Sequence, residues 1–187
     1  MKVTAGTLGG RALIAPPGAR VRPTSDKVRQ AMFNILAHND FGVSLADARV
    51  ADMFAGTGAL GIEALSRGAS FCLFVDDSAE SRGLIRLNVE AFGLTGATKI
   101  WRRDATELGP INTGSGGPFD LVFLDPPYRK DLVARCLKSL HEGEWLAPGA
   151  IVVAETAEDE PIPDTPGFRQ LDERIYGTTR VLFLTRA

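Results

Sequence analysis

The chain has 187 residues, 44% of them apolar, with two cysteines, two histidines and a formal net charge of −2. This length and apolar fraction fit one globular domain with its own core, and Cys72, Cys136, His38 and His141 are too few and too scattered for a disulfide framework or a zinc site. No apolar run approaches a membrane span or a signal peptide, so a cytoplasmic location without membrane contact is expected.

Charge is distributed unevenly. The first 36 residues carry six cations, Lys2, Arg11, Arg20, Arg22, Lys27 and Arg29, against Asp26 alone, a surplus of five that leaves −7 on the remainder. Residues 2–5 and 11–15, separated by Gly6-Thr7-Leu8-Gly9-Gly10, predict a small hairpin displaying part of that charge. A local basic patch attracts a phosphate backbone whatever the total charge; an ordinary solvated hairpin is the alternative. Residues 22–36 predict a capped amphipathic helix with Thr24 or Ser25 as N-cap. The N-terminus of that helix also suits a ligand carboxylate.

Residues 49–54 predict a strand, and residues 55–65 a glycine-rich turn opening a helix. Gly56, Gly58 and Gly61 match the dinucleotide fingerprint, and Asp76 lies 20 residues beyond Gly56. A dinucleotide, however, brings a pyrophosphate to the helix N-terminus, and Asp52 at the strand end would repel it. S-adenosylmethionine carries a positive sulfonium and a positive amino group, which Asp52 suits. Phe54, Gly56 and Gly58 would then line the pocket. Residues 71–75 predict a second strand, after which Asp76 or Asp77 is placed to accept from ribose hydroxyls. Residues 78–92 carry apolar side chains at helical spacing, with Gly93 as a stop. A third strand over 98–102 ends near Asp104, which either accepts from an adenine amino group or caps a following helix.

Residues 112–118 form a Gly/Ser-rich segment read as a solvated loop, followed by an apolar strand over 119–124 and then Asp125-Pro126-Pro127-Tyr128. Open α/β sheets place ligands at such strand ends. A planar amino group is a poor nucleophile because its lone pair is delocalised. The Asp125 carboxylate and a carbonyl in the proline turn, whose direction is set by the locked proline φ, can accept both N–H groups, and Tyr128 can stack on a base. A strand end with a plain proline turn is the alternative. Arg129 and Lys130 extend the motif with two further phosphate-contact candidates, beside Lys2, Arg11, Arg20, Arg22 and Arg29. A helix over 132–140, a buried strand over 150–154, an acidic proline-rich loop over 158–167, and two strands over 168–175 and 180–185 complete the chain. The short connection between the last two predicts an antiparallel hairpin.

The N-terminal G-x-x-x-G-R, the Arg-Pro-Thr-Ser-Asp-Lys-Val-Arg block with Phe33-Asn34-Ile35-Leu36, the Asp-Met-Phe-Ala-Gly-Thr-Gly-Ala-Leu-Gly-Ile-Glu-Ala segment, Phe-Val-Asp and Asp-Pro-Pro-Tyr together resemble the bacterial RsmD family over almost the whole chain. The resemblance implies an α/β class I S-adenosylmethionine-dependent methyltransferase. Its fold would be a Rossmann-like, mostly parallel seven-stranded sheet with a C-terminal antiparallel hairpin. A basic N-terminal β-hairpin extension over 1–23 would precede a methyltransferase domain over 24–187. It implies methyl transfer to N2 of a guanine in 16S rRNA, with a partly or fully assembled 30S subunit as partner and a monomeric enzyme needing no obligate protein partner. Asp52, Phe54, Gly56, Gly58, Asp76, Asp77, Asp104 and Thr24 would bind the cofactor, and Asp125, Pro126, Pro127 and Tyr128 would hold the base. The family often has Glu where this chain has Asp76. An adenine-N6 or protein-glutamine methyltransferase, and more remotely an NAD-dependent oxidoreductase, are the alternatives.

Overall fold

A computed structural model describes residues 1–16, 23–38, 40–128, 131–161 and 163–187, with the side chains of residues 23–25 outside the description. Arg20, Arg22, Arg129 and Lys130 lie outside the described residues. So does the side chain of Thr24, although its backbone belongs to the first helix.

The elements run α1 (Pro23–His38), β1 (Arg49–Met53), α2 (Ala59–Ser66), β2 (Phe71–Val75), α3 (Ala79–Ala91), β3 (Thr98–Trp101), β4 (Phe119–Leu124), α4 (Leu132–Glu142), β5 (Leu146–Ala157), β6 (Phe168–Tyr176) and β7 (Thr179–Arg186). The strands form one seven-stranded sheet in the order β3-β2-β1-β4-β5-β7-β6. The first five strands are parallel to their neighbours, and β7 pairs antiparallel with both β5 and β6. This is the class I methyltransferase sheet expected from the sequence.

Both faces of the central strands are covered, which is why they read as continuous apolar runs. Alternation of period two divides them cleanly. Val50, Phe74, Leu121 and Phe123 point to the face carrying α1, α2 and α3, together with Val3 and Leu13 of the N-terminal segment. Met53, Val75, Val122 and Leu124 point to the opposite face, where α4 supplies Val133, Cys136, Leu137 and Leu140 around Trp145. Local chemistry sets the helix ends. Ser78 caps α3 by accepting from the Ser81 N–H, and Leu94 N–H closes on the Val89 carbonyl after Gly93 at φ 69°.

Several expectations are corrected. The N-terminal segment folds back on itself antiparallel, with Lys2 bridging Ala12 and the Val3 and Leu13 N–H groups donating to the Arg11 and Met1 carbonyls at 3.0 Å each, but its arms do not extend into full strands. It is pinned to the body because Glu63 of α2 accepts from the Thr4 and Ala5 N–H groups at 2.9 and 3.2 Å, and because Val3 and Leu13 enter the main core. The segment 112–118 is packed: Ser115 is buried, Arg49 donates to the Gly116 carbonyl, and a Cβ on Gly116 would stand 2.4 Å from the Phe71 ring. No helix follows Asp104. Its carboxylate instead receives the Thr106 N–H at 2.8 Å and the Thr106 hydroxyl at 2.6 Å, closing an Asx turn. The loop after β5 is likewise organised, since buried Arg180 donates to the carbonyls of Glu158 and Glu160 at 2.9 Å each.

Candidate active site

Strand register carries the chemical groups to one edge. Met53 pairs with Val75 on one side and Leu124 on the other, and Leu124 pairs with Ala154. The next residues along these strands are Asp76, Phe54, Asp125 and Glu155, side by side at the carboxyl ends of β2, β1, β4 and β5. The chain leaves β1 toward β2 and returns in β4 on its other side, so this edge is a topological switch point, where ligand crevices form. A cavity of about 880 Å³ opens there, lined by Asp52, Gly56, Asp76, Asp125, Tyr128 and Glu155 among others.

The turn after β1 is tightly determined. Phe54 has φ 56°, in the left-handed region that a bulky side chain rarely occupies, and such strain collects at ligand-binding turns. Gly56 follows at φ 60°, where a Cβ would meet no protein atom within 4 Å, so the backbone there is open to the cavity. Gly61 has another task. A Cβ on it would stand 2.4 Å from the Phe74 ring and 2.6 Å from Cys72 Sγ, so its absence lets α2 lie against β2.

Asp52 is only 1% exposed, and its Oδ2 accepts the Gly61 N–H at 3.0 Å in the first turn of α2. A protein carboxylate therefore already occupies a helix donor that a pyrophosphate would need. Burial raises the pKa of Asp52 well above the ordinary carboxylate range, the Gly61 hydrogen bond opposes this, and the nearby charges of Asp125 and Asp76 add to it. A cation would relieve such a group. Asp76 accepts the Gly56 N–H on Oδ2 and the Ser78 N–H on Oδ1, both at 2.9 Å. With about four acceptor sites on a carboxylate, capacity remains for diol hydroxyls. Asp77 is exposed on the same wall. These residues fit S-adenosylmethionine: an acidic wall for the sulfonium and amino group, an open backbone at Gly56 and a carboxylate for ribose.

Asp104 is exposed and lies beyond β3 on the same edge; hydrogen bonds from Thr106 lower its pKa. Pro126 is buried, Pro127 exposed and Tyr128 38% exposed, with the Tyr128 hydroxyl 3.2 Å from Thr179 Oγ1 in the β6–β7 turn. That turn, with Tyr176, Thr178 and Thr179, forms a wall of the cavity that sequence reading missed, as it missed Glu155. Periodicity identifies the strands but not which turn faces which pocket.

Of the basic candidates, Lys2 and Arg11 are exposed. Arg11 lies 4.7 Å over the Phe92 ring and donates to the Ala91 carbonyl at the end of α3. Arg29 is not a free surface cation. It is 4% exposed, pairing with Asp26 at 2.7 Å and Glu63 at 3.2 Å, while Glu63 also pairs with Arg67 at 2.9 Å. Among the described residues no His/Cys/Asp/Glu group could hold a metal ion, and no helix is long and apolar enough to cross a membrane.

The family described as conserved hypothetical protein 95 matches residues 1–185. The chain is 34% identical over 182 residues to YlbH of Bacillus subtilis, covering 97% of this chain and 96% of that protein. It is 34% identical over 167 residues to the ribosomal RNA small subunit methyltransferase D of Escherichia coli K12, covering 89% of this chain and 79% of that protein. The solved structure of yhhF from Escherichia coli superposes with a TM-score of 0.82 at 26% identity, covering 100% of this chain and 97% of that one.

Proposed function

The chain belongs to the RsmD family of methyltransferases, and from that premise we propose that it moves a methyl group from S-adenosylmethionine to the exocyclic N2 of a guanine in small-subunit rRNA. The observation that carries the reading is the convergence of the glycine turn and the Asp-Pro-Pro-Tyr turn on one acidic cavity, from the adjacent parallel strands β1 and β4.

Bound S-adenosylmethionine supplies an already activated methyl group on a positive sulfur. Asp52 and Asp76 neutralise that charge and take the ribose, with Phe54, Gly56, Gly58 and Asp77 shaping the wall and Asp104 receiving the adenine amino group. The N-terminal end of α1, at Thr24, takes the carboxylate. Asp125 and the Pro126 carbonyl accept the N–H bonds of the target amino group, and Tyr128 stacks on the base. Taking the base out of its stack costs a few kcal/mol, offset by stacking and edge hydrogen bonds. As the new N–C bond forms, the methylated nitrogen becomes acidic and releases its proton to Asp125 or water. Positioning and electrostatics provide most of the acceleration.

Lys2 and Arg11, with the other N-terminal cations, contact the phosphate backbone from the segment 1–23, and the remainder of the chain performs catalysis. The enzyme acts in the cytoplasm as a monomer on a partly or fully assembled 30S subunit. Labelled S-adenosylmethionine incubated with small subunits from cells lacking the modification tests this after nuclease digestion. N2-methylguanosine is the expected product. N6-methyladenosine, or label in protein alone, contradicts the reading.

A further inference from the structure

A half-buried acid beside Asp125 has no part in the mechanism above. Leu124 of β4 pairs with Ala154 of β5, so Asp125 and Glu155 emerge side by side, both on the cavity wall. The two carboxyl groups lie close enough to share a hydrogen bond, which needs a proton on one of them because ionised carboxylates are acceptors only. Asp125 is exposed and can be solvated, whereas Glu155 is half-buried. Burial raises the pKa of Glu155 well above the ordinary range, the Asp125 charge and shared hydrogen bond raise it further, and Arg29 only partly opposes them.

Among the described residues, the other charged or titratable groups around Glu155 do not supply a free cation. Asp52 of β1 faces it, and Tyr176 of β6 lines the same cavity. On its other side a second cavity carries Asp131, Asp159, Glu160 and Asp164. Arg29 of α1 is already paired with Asp26 and Glu63.

Resting on the guanine-N2 reading, we propose that Glu155 is a positioning residue for Asp125. As a neutral acid it donates a hydrogen bond to the Asp125 carboxylate and so directs the remaining acceptor sites at the amino group to be methylated. Ionised Glu155 would place like charges on adjacent strands and push the Asp125 carboxylate away, and a displacement of about 1 Å is enough to cost roughly 100-fold in rate.

The test compares Glu155→Gln, Glu155→Ala and Asp125→Ala. Glutamine retains a neutral donor and cannot ionise, so E155Q keeps kcat within about threefold of wild type while E155A loses about 10-fold to 100-fold. Affinity for S-adenosylmethionine changes little in either. The wild-type rate falls with rising pH as Glu155 ionises, and this fall moves to higher pH or disappears in E155Q. An E155Q as impaired as E155A, or an unchanged fall in E155Q, overturns the inference. Infrared difference spectra provide a reading independent of substrate: below the pH of that fall, wild type minus E155Q shows the C=O stretch of a protonated carboxyl group, while any band from Asp52 is common to both and cancels. A difference spectrum without that band overturns the inference even where E155A fails to fold. Methylation of a different base by wild type would overturn the guanine reading, while the infrared band and the Gln/Ala contrast still decide the role of Glu155.

Discussion

Substituting Gly61→Ala tests whether close packing of α2 on β2 holds the cofactor turn in place. The added Cβ would stand 2.4 Å from Phe74 Cε1 and 2.6 Å from Cys72 Sγ, and both of those side chains are fully buried. Ordinary carbon contacts lie near 3.5–4.0 Å, so helix and strand must separate by about 1 Å. Overpacking of this kind costs about 1–3 kcal/mol, and the absence of free space on either side argues for the upper end. Alanine returns up to about 1 kcal/mol through helix propensity. The net loss is about 2 kcal/mol, or a fall in Tm of roughly 4–8 °C for a chain of this size. Displacing α2 also stretches the 3.0 Å bond from Gly61 N–H to Asp52, so affinity for S-adenosylmethionine falls with stability. Thermal denaturation and calorimetric titration read the two effects. Gly83→Ala, in α3, is the control: a Cβ there meets nothing within 4 Å, and the variant gains about 0.5–1 kcal/mol. G61A/C72A recovers part of the G61A loss by removing one clashing atom. A G61A protein with wild-type stability and cofactor affinity would refute the reasoning.

Without the cofactor's positive charge, burial first and the neighbouring carboxylates next raise the pKa of folded Asp52, so the folded chain keeps this proton to higher pH than the unfolded chain, which releases it near pH 3.9. Its stabilising contribution is therefore complete below the unfolded value and is lost as pH rises through the raised folded value. Asp52→Asn should flatten that pH dependence in urea denaturation and weaken S-adenosylmethionine binding about 10-fold to 100-fold; undiminished affinity contradicts the assignment. Glu63→Gln leaves Arg29 and Arg67 without their buried counter-charge, a loss of about 3–5 kcal/mol measurable by urea denaturation, and a loss below about 1 kcal/mol would show that the network is not structural. Replacing both Lys2 and Arg11 with alanine should reduce the slope of log K against log salt for RNA by about 1.4–1.8; an unchanged slope removes the N-terminal segment from the interface.

The strands, the glycine turn, the end of α3 at Gly93 and the proline turn are legible in sequence because each is written locally, in periodicity or in residues that demand a particular backbone. Glu155 is not. It is one polar residue near the end of an apolar strand, and its importance depends on the register of β5 against β4. Arg29 misleads for a related reason: sequence reports a cation on an amphipathic helix, while burial depends on Glu63, 34 residues away, meeting it. The 112–118 segment has loop composition, yet its glycines permit close approach to Phe71 and Phe119. Composition predicts solvation there, and tertiary packing overrides it. Asp104 looks like a helix cap in sequence, but its Oδ1 is taken up by Thr106 two residues on and no helix starts there.

The most direct test of the central claim is the turnover of Asp125→Ala on small subunits, measured beside its affinity for S-adenosylmethionine. Loss of N2-methylguanosine formation with cofactor affinity close to wild type is the predicted result. Near-wild-type turnover would contradict the assignment of Asp125 to the reacting amino group.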